Sequence, residues 1–237
     1  MNDACKVQHL TVAYGDHLVL KDVTVDIPRG VICAVVGPNG AGKTTFIKAV
    51  LGLVDRVAGT IALATESVSY VPQRRTIDWD FPVSVLDVVL MGRYKALGWF
   101  ARPTEHDQQL ALDALRQVKL LEYANRPISQ LSGGERQRIF LARSLVQNAD
   151  IYIMDEPFVG VDAVTEQTIV DVLKALRAQG KTIIIVHHDL QTMQEYFDWL
   201  VLLNVQLVAA GPMRTVFTKK NIEKAYGALP KFLTLME

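Results

Sequence analysis

Cysteine is nearly missing from these 237 residues; Cys5 and Cys33 are the only two. Two thiols, one of them inside the apolar run Val31-Ile-Cys-Ala-Val-Val36, build neither a disulfide framework nor a zinc cluster, which fits a reducing compartment. Net charge is lacking too. Lys plus Arg and Asp plus Glu stand at 25 each, so no basic field holds a polyanion, and a nucleic-acid partner is not expected. Long apolar runs are also absent. The longest, Leu200 to Ala210, is interrupted by Asn204 and Gln206 and falls short of the roughly 18 residues a spanning helix needs. The amino terminus shows no basic region followed by an apolar one, so no secretion signal is expected and the chain should stay in the cytosol. Any membrane contact must then go through a partner. There is no internal repeat, low-complexity stretch or charged tail.

What is present suits one large α/β domain, since 50% hydrophobic residues fill a substantial core. Residues 6–36 alternate as three short strands, with breaks at Tyr14-Gly15-Asp16-His17 and Pro28-Arg29-Gly30. Helical spacing follows over 43–51, then strand character at 59–61 and 68–71. Residues 84–147 read almost wholly as helix, with Leu110, Leu112, Leu115 and Val118 at three- and four-residue spacing. Beyond them strand 151–154, helix 163–179, strand 182–186, a helix near 190 and strand 199–203 alternate, which implies a mostly parallel sheet covered on both faces.

Gly37-Pro-Asn39-Gly40-Ala-Gly42-Lys43-Thr44 matches G-x-x-x-x-G-K-[ST] and lies between an apolar strand and a helix, as that motif requires. Its glycines let N–H groups curl around phosphates, Lys43 reaches the terminal phosphates and the Thr44 hydroxyl can ligate Mg²⁺, with Thr45 next in the helix. The pattern points to a nucleoside triphosphate with Mg²⁺. Asp155 and Glu156 end the apolar strand Ile151-Tyr-Ile-Met154, at the carboxyl edge where parallel sheets bind ligands. Asp155 suits the Mg²⁺ shell and Glu156 a base for the attacking water, although strands also often finish in a solvated acidic turn. Leu131-Ser132-Gly133-Gly134-Glu135 opens another helix and offers a hydroxyl and N–H groups to an anion; on its own it is also an ordinary serine cap.

Together these motifs resemble those of ATP-binding-cassette (ABC) ATPases, from about residue 6 to residue 211 and in the family's order. The resemblance implies a P-loop NTPase: a RecA-like core with a mostly parallel sheet, an amino-terminal antiparallel β subdomain and an inserted helical subdomain. It places the core in 1–73 and 150–211, the insert with the signature segment in 74–149 and a tail in 212–237. It implies that Tyr14 stacks on adenine, that Gln73 touches Mg²⁺ and the attacking water, that Asp162 crosses a dimer contact and that His188 senses the γ-phosphate. Adjacent His187 and His188 with Asp189 can also suggest a metal cluster, but neighbours on a strand point to opposite faces. Glu135 stands where Gln is commoner in the family, and Val159 where a small polar residue is frequent.

The resemblance further implies a head-to-tail homodimer in which Ser132 of one chain caps the ATP held by Lys43 of the other. Thr76 to Tyr94 looks like the group importing manganese, zinc or iron, with separate permease subunits and, indirectly, an extracytoplasmic metal-binding protein. Trp79 and Phe81 are candidates for the permease-docking surface. An exporter subunit and a regulatory ATPase without a permease are the alternatives. The location implied is the cytoplasmic face of the membrane, held there peripherally.

Overall fold

The computed structural model describes residues 3–73, 82–97 and 102–228, so Trp79 and Phe81 lie outside the described residues. The chain divides into two compact units, Met1–Glu66 with Arg177–Glu237, and Ser67–Leu176.

In the first unit β1 (Asp3–Tyr14) pairs antiparallel with β2 (His17–Pro28) on one side and β4 (Ala58–Leu63) on the other. These first two strands run 12 residues each, longer than their alternation suggests. The register slips between Val7 and Leu10, where His9 takes φ 53° and lies 2.7 Å from Asp22, itself at φ 52°. Each bulge puts one residue out of phase, so a two-residue period breaks off while the strand continues.

Strand β3 (Ile32–Val36) is buried throughout and lies parallel between β7 (Thr182–Val186) and β8 (Trp199–Asn204). Helix α1 (Lys43–Val50) follows β3 and buries Phe46, Ile47, Ala49 and Val50. The expected alternation ends at β8, because β9 (Gln206–Pro212) returns antiparallel after a reversal at Val205, φ 60°. The helix near 190 is the single turn α7 (Met193–Tyr196). Two more follow, α8 (Met213–Val216) and α9 (Lys219–Tyr226); α9 packs on β8 and β9 through Ile222 and Ala225, both fully buried.

In the second unit β5 (Val68–Val71) pairs parallel with β6 (Ile151–Asp155). The segment read as nearly continuous helix is broken into α2 (Val85–Leu90), α3 (Tyr94–Leu97), α4 (Glu105–Gln117) and α5 (Gly133–Leu145), with 3-10 turns between. Three reciprocal caps restart it: Ser84 with Asp87, Thr104 with Asp107 and Ser132 with Glu135. Helices α2, α4 and α5 pack together, pinned by Arg93, which meets Asp107 at 2.8 Å and the Val146 carbonyl at 3.0 Å. Helix α6 (Ala163–Ala178) leads out of the unit. Among the described residues no helix is long and apolar enough to cross a membrane.

Candidate active site

The loop between β3 and α1 is shaped by what presses on it. A Cβ at Gly37 would stand 2.0 Å from the Leu203 carbonyl oxygen, and one at Gly42 would stand 2.5 Å from Leu20 Cδ2 with the backbone already at φ 89°. No other residue type fits either place. Val205 N–H donates to the Ala41 carbonyl at 3.2 Å, tying the loop to the β8–β9 reversal. Asn39 and Gly40 are exposed at the loop tip, whereas Lys43 is only 8% exposed and donates Nζ to the carbonyls of Gly37 (2.8 Å) and Pro38 (2.9 Å). Thr44 and Thr45 lie half-buried in the first turn of α1, which Gly42 caps without a side-chain hydrogen bond. The first N–H groups of the helix therefore carry no side-chain cap, an arrangement suited to an anion.

The parallel register of β5 and β6 sets Val71 against Met154, so Gln73 and Glu156 each follow two residues beyond a matched pair. Gln73 Nε2 accordingly donates to Glu156 Oε2 at 2.7 Å. Glu156 holds φ 54°, a left-handed backbone that a residue with a Cβ adopts only where its surroundings impose it. Asp155, one residue earlier, is 2% exposed. Burial pushes the Tyr70 phenol up, and the Asp155 charge adds to the effect, so Tyr70 also belongs to this corner. Tyr70 escapes a reading of motifs, because a tyrosine on a strand carries no signal until the register sets it opposite Ile153.

Ser132 caps α5. Its Oγ accepts the Glu135 N–H at 3.3 Å while Glu135 Oε2 accepts the Ser132 N–H at 2.7 Å. The residue that departs from the commoner Gln thus has a structural task. Burial works against the Glu135 carboxylate, but the bonds from Ser132 and the charges of Arg138 and Arg126 together hold its pKa below the ordinary value. A Cβ on Gly134 would come 2.9 Å from Thr165 Oγ1, which shows how closely the α5 start lies on α6. Thr165 in turn donates its N–H to Asp162 Oδ1 at 2.7 Å; this bond, with the Arg138 charge, lowers the Asp162 pKa. The structure therefore brings Ser132, Gly133 and Gly134 beside Asp162, with Arg138 acting on both carboxylates. Val159, in the same loop, is 43% exposed.

Tyr14 is 52% exposed at the β1–β2 turn. After β7 the two histidines part: His188 is exposed, while His187 is buried with Nε2 3.0 Å from Thr192 Oγ1. Burial first, then the His188 charge, pushes the His187 pKa down to about 4, so its ring is neutral at pH 7.

A family model described as ABC transporter matches residues 20–159. The chain is 51% identical over 235 residues to the manganese transport system ATP-binding protein MntB of Bacillus subtilis, covering 96% of this chain and 94% of that protein. It is also 51% identical over 231 residues to the zinc transport system ATP-binding protein TroB of Treponema pallidum, covering 94% and 87%. Among solved structures, a metal-chelate type ABC transporter in an inward-facing conformation superposes with a TM-score of 0.87 at 30% identity, over 96% of this chain and 90% of that one. The fold is that of a P-loop NTPase cassette, and the chain belongs to the ABC transporter family as an ATP-binding subunit that hydrolyses ATP to drive transport.

Proposed function

We propose that the chain drives import of a transition-metal ion, manganese, zinc or iron, through separate permease subunits. The observation that carries this reading is half identity to manganese and zinc transport ATPases along nearly the whole chain. ATPase subunits of ABC importers work as dimers with membrane permease components. Here the dimer is a homodimer on the cytoplasmic face of the membrane, held there peripherally by the permease and stimulated indirectly by an extracytoplasmic metal-binding protein. Nothing favours an exporter or a free-standing regulator.

Within that reading the loop from Gly37 through Asn39, Gly40 and Gly42 to Thr45 wraps the phosphates of ATP. Lys43, held at the loop by two carbonyls, reaches the terminal phosphates. Tyr14 stacks on adenine. Thr44, Gln73 and Asp155 would hold Mg²⁺; a hydroxyl, an amide carbonyl and a carboxylate are the hard oxygen donors this ion takes. When bound, Mg²⁺ neutralises charge on the phosphate oxygens. Glu156 is the base: Gln73 occupies one lone pair of its carboxylate, which fixes the group's orientation and leaves others to take the proton of the attacking water. His188, exposed beyond β7, donates to the γ-phosphate. Ser132, Gly133 and Gly134 cap the partner protomer's ATP, and Asp162 contributes to the same dimer contact. ATP binding closes the pair and hydrolysis reopens it. Residues 1–73 and 150–211 form the nucleotide-binding core and 74–149 the helical insert.

The test is ATP hydrolysis and uptake by the complex reconstituted with permease and binding protein, scanned over Mn²⁺, Zn²⁺ and Fe²⁺. One of these ions should stimulate hydrolysis and be carried inward. Stimulation by none of them would sink the metal assignment, and hydrolysis indifferent to the permease would favour a regulator.

A further inference from the structure

The reversal between β8 and β9 is made by a residue poorly suited to it. Asn204 pairs with Gln206, so the chain turns back over the single residue Val205, which holds φ 60°. A branched Cβ crowds the backbone in that left-handed region, and a valine stays there only where its surroundings impose it. Two hydrogen bonds to other segments do so. The Val205 N–H donates to the Ala41 carbonyl at 3.2 Å, and the Val205 carbonyl accepts the Lys21 N–H at 2.8 Å. The reversal and β2 also confine the two ends of the glycine loop: the Leu203 carbonyl oxygen leaves no room for a side chain at Gly37, and the Val19 carbonyl oxygen and Leu20 Cδ2 leave none at Gly42. Asn204 Nδ2 donates to the Ala225 carbonyl at 3.0 Å, so the end of α9 is tied to the reversal as well.

We propose that Val205 is a positioning residue for ATP: by holding the Ala41 carbonyl it fixes the direction of the Gly42 N–H that meets the phosphates. The Ala41 carbonyl and the Gly42 N–H belong to one planar trans peptide and point opposite ways, so a carbonyl drawn to Val205 turns that N–H away from the reversal. Gly42 caps α1 without a side-chain hydrogen bond, and its N–H stands among the donors at that helix start. The inference rests on the reading of Gly37 to Thr44 as the phosphate loop. It gives a task to a residue beyond the region 20–159 that the family model matches. The bond sets how the loop waits for the nucleotide and leaves the chemical step alone, so its effect appears in ground-state binding.

Exchanging Val205 for its α-hydroxy acid replaces only the N–H by an oxygen. The Kd for ATP, read by direct titration, should rise about two- to tenfold while kcat at saturating ATP stays within about twofold, the range expected for one neutral hydrogen bond. Val205→Gly keeps the N–H and suits the left-handed φ, so its Kd should stay within about twofold. Lys43→Ala is titrated beside them and should lose binding; if it binds ATP as the unaltered protein does, the loop reading fails and the proposal with it. Loss of binding in Lys43→Ala with an unchanged Kd in the α-hydroxy variant overturns the proposal alone. So does an equal rise of Kd in Val205→Gly, since the N–H is then not the agent, and so does a fall in kcat and melting temperature with Kd unmoved. Hydrogen exchange in the unaltered protein tests the same bond without a substitution. By reciprocity ATP should slow exchange of the Val205 amide about two- to tenfold more than that of Leu207 on β9. Equal slowing of the two amides overturns the proposal.

Discussion

Gln73 donates its side-chain amide to the carboxylate of Glu156 at 2.7 Å, although 83 residues separate them along the chain. The bond joins the residues just beyond β5 to those just beyond β6, where the proposed base stands. A shift of Gln73 therefore alters the support of the base directly.

Replacing Glu156 by Gln should keep ATP affinity and lower turnover by about 10²- to 10⁴-fold, because an amide can hold water but cannot accept its proton. The variant should accumulate as an ATP-bound dimer, seen by size-exclusion chromatography with Mg-ATP. Near-normal hydrolysis would remove Glu156 from the role of base.

Ser132→Arg should leave each monomer able to bind ATP yet block closure, whereas Lys43→Ala should weaken binding itself. A mixed dimer of the two pairs one intact Lys43 with one intact Ser132. ATP-dependent dimerisation should then partly return on mixing, and no recovery in proteins shown to mix would argue against a site shared across chains.

Gly134→Ala places a methyl group 2.9 Å from Thr165 Oγ1, inside ordinary contact. The α5 start must move off α6, so stability should fall by about 1–3 kcal/mol, the usual cost of overpacking. ATP-driven dimerisation should weaken as well, because Ser132 and Asp162 are placed by this contact. Urea unfolding and sizing chromatography report the two effects separately.

His187 supplies a pH dependence whose sign follows from its burial. Its pKa is depressed from 6.5 to about 4 in the folded protein, so between these values the unfolded chain binds the extra proton. Its contribution to stability is intact above pH 6.5 and is lost as pH falls toward 4, by up to roughly 3 kcal/mol. His187→Asn should flatten this part of the curve. An equally steep loss between pH 6.5 and 4 in the variant would assign it to other groups.

The site was legible wherever a local pattern forces local chemistry. Gly37 to Thr44 reads as a phosphate loop because strand, glycine turn and helix start are neighbours in sequence, and Ser132 to Glu135 reads as a cap for the same reason. The broken insert could have been read as well, since Ser84, Thr104 and Ser132 each precede an acid by three residues. The apolar spacing masked those restarts. Strand β9 was not legible, because Leu200 to Ala210 is apolar on both sides of a reversal at Val205 that carries no glycine or proline signal.

The sequence by itself determined the family, the glycine turn between β3 and α1, the acidic strand end and the cap at Ser132, since each depends on residues within a few positions of one another. Tertiary structure alone decided that Gln73 meets Glu156, that Gly134 lies against Thr165 and that Asn204 holds the end of α9. Those pairs are set by strand register and helix packing, in which contacts between distant residues are chosen by the burial of apolar surface along whole elements. No period or motif in a single stretch of chain records that choice.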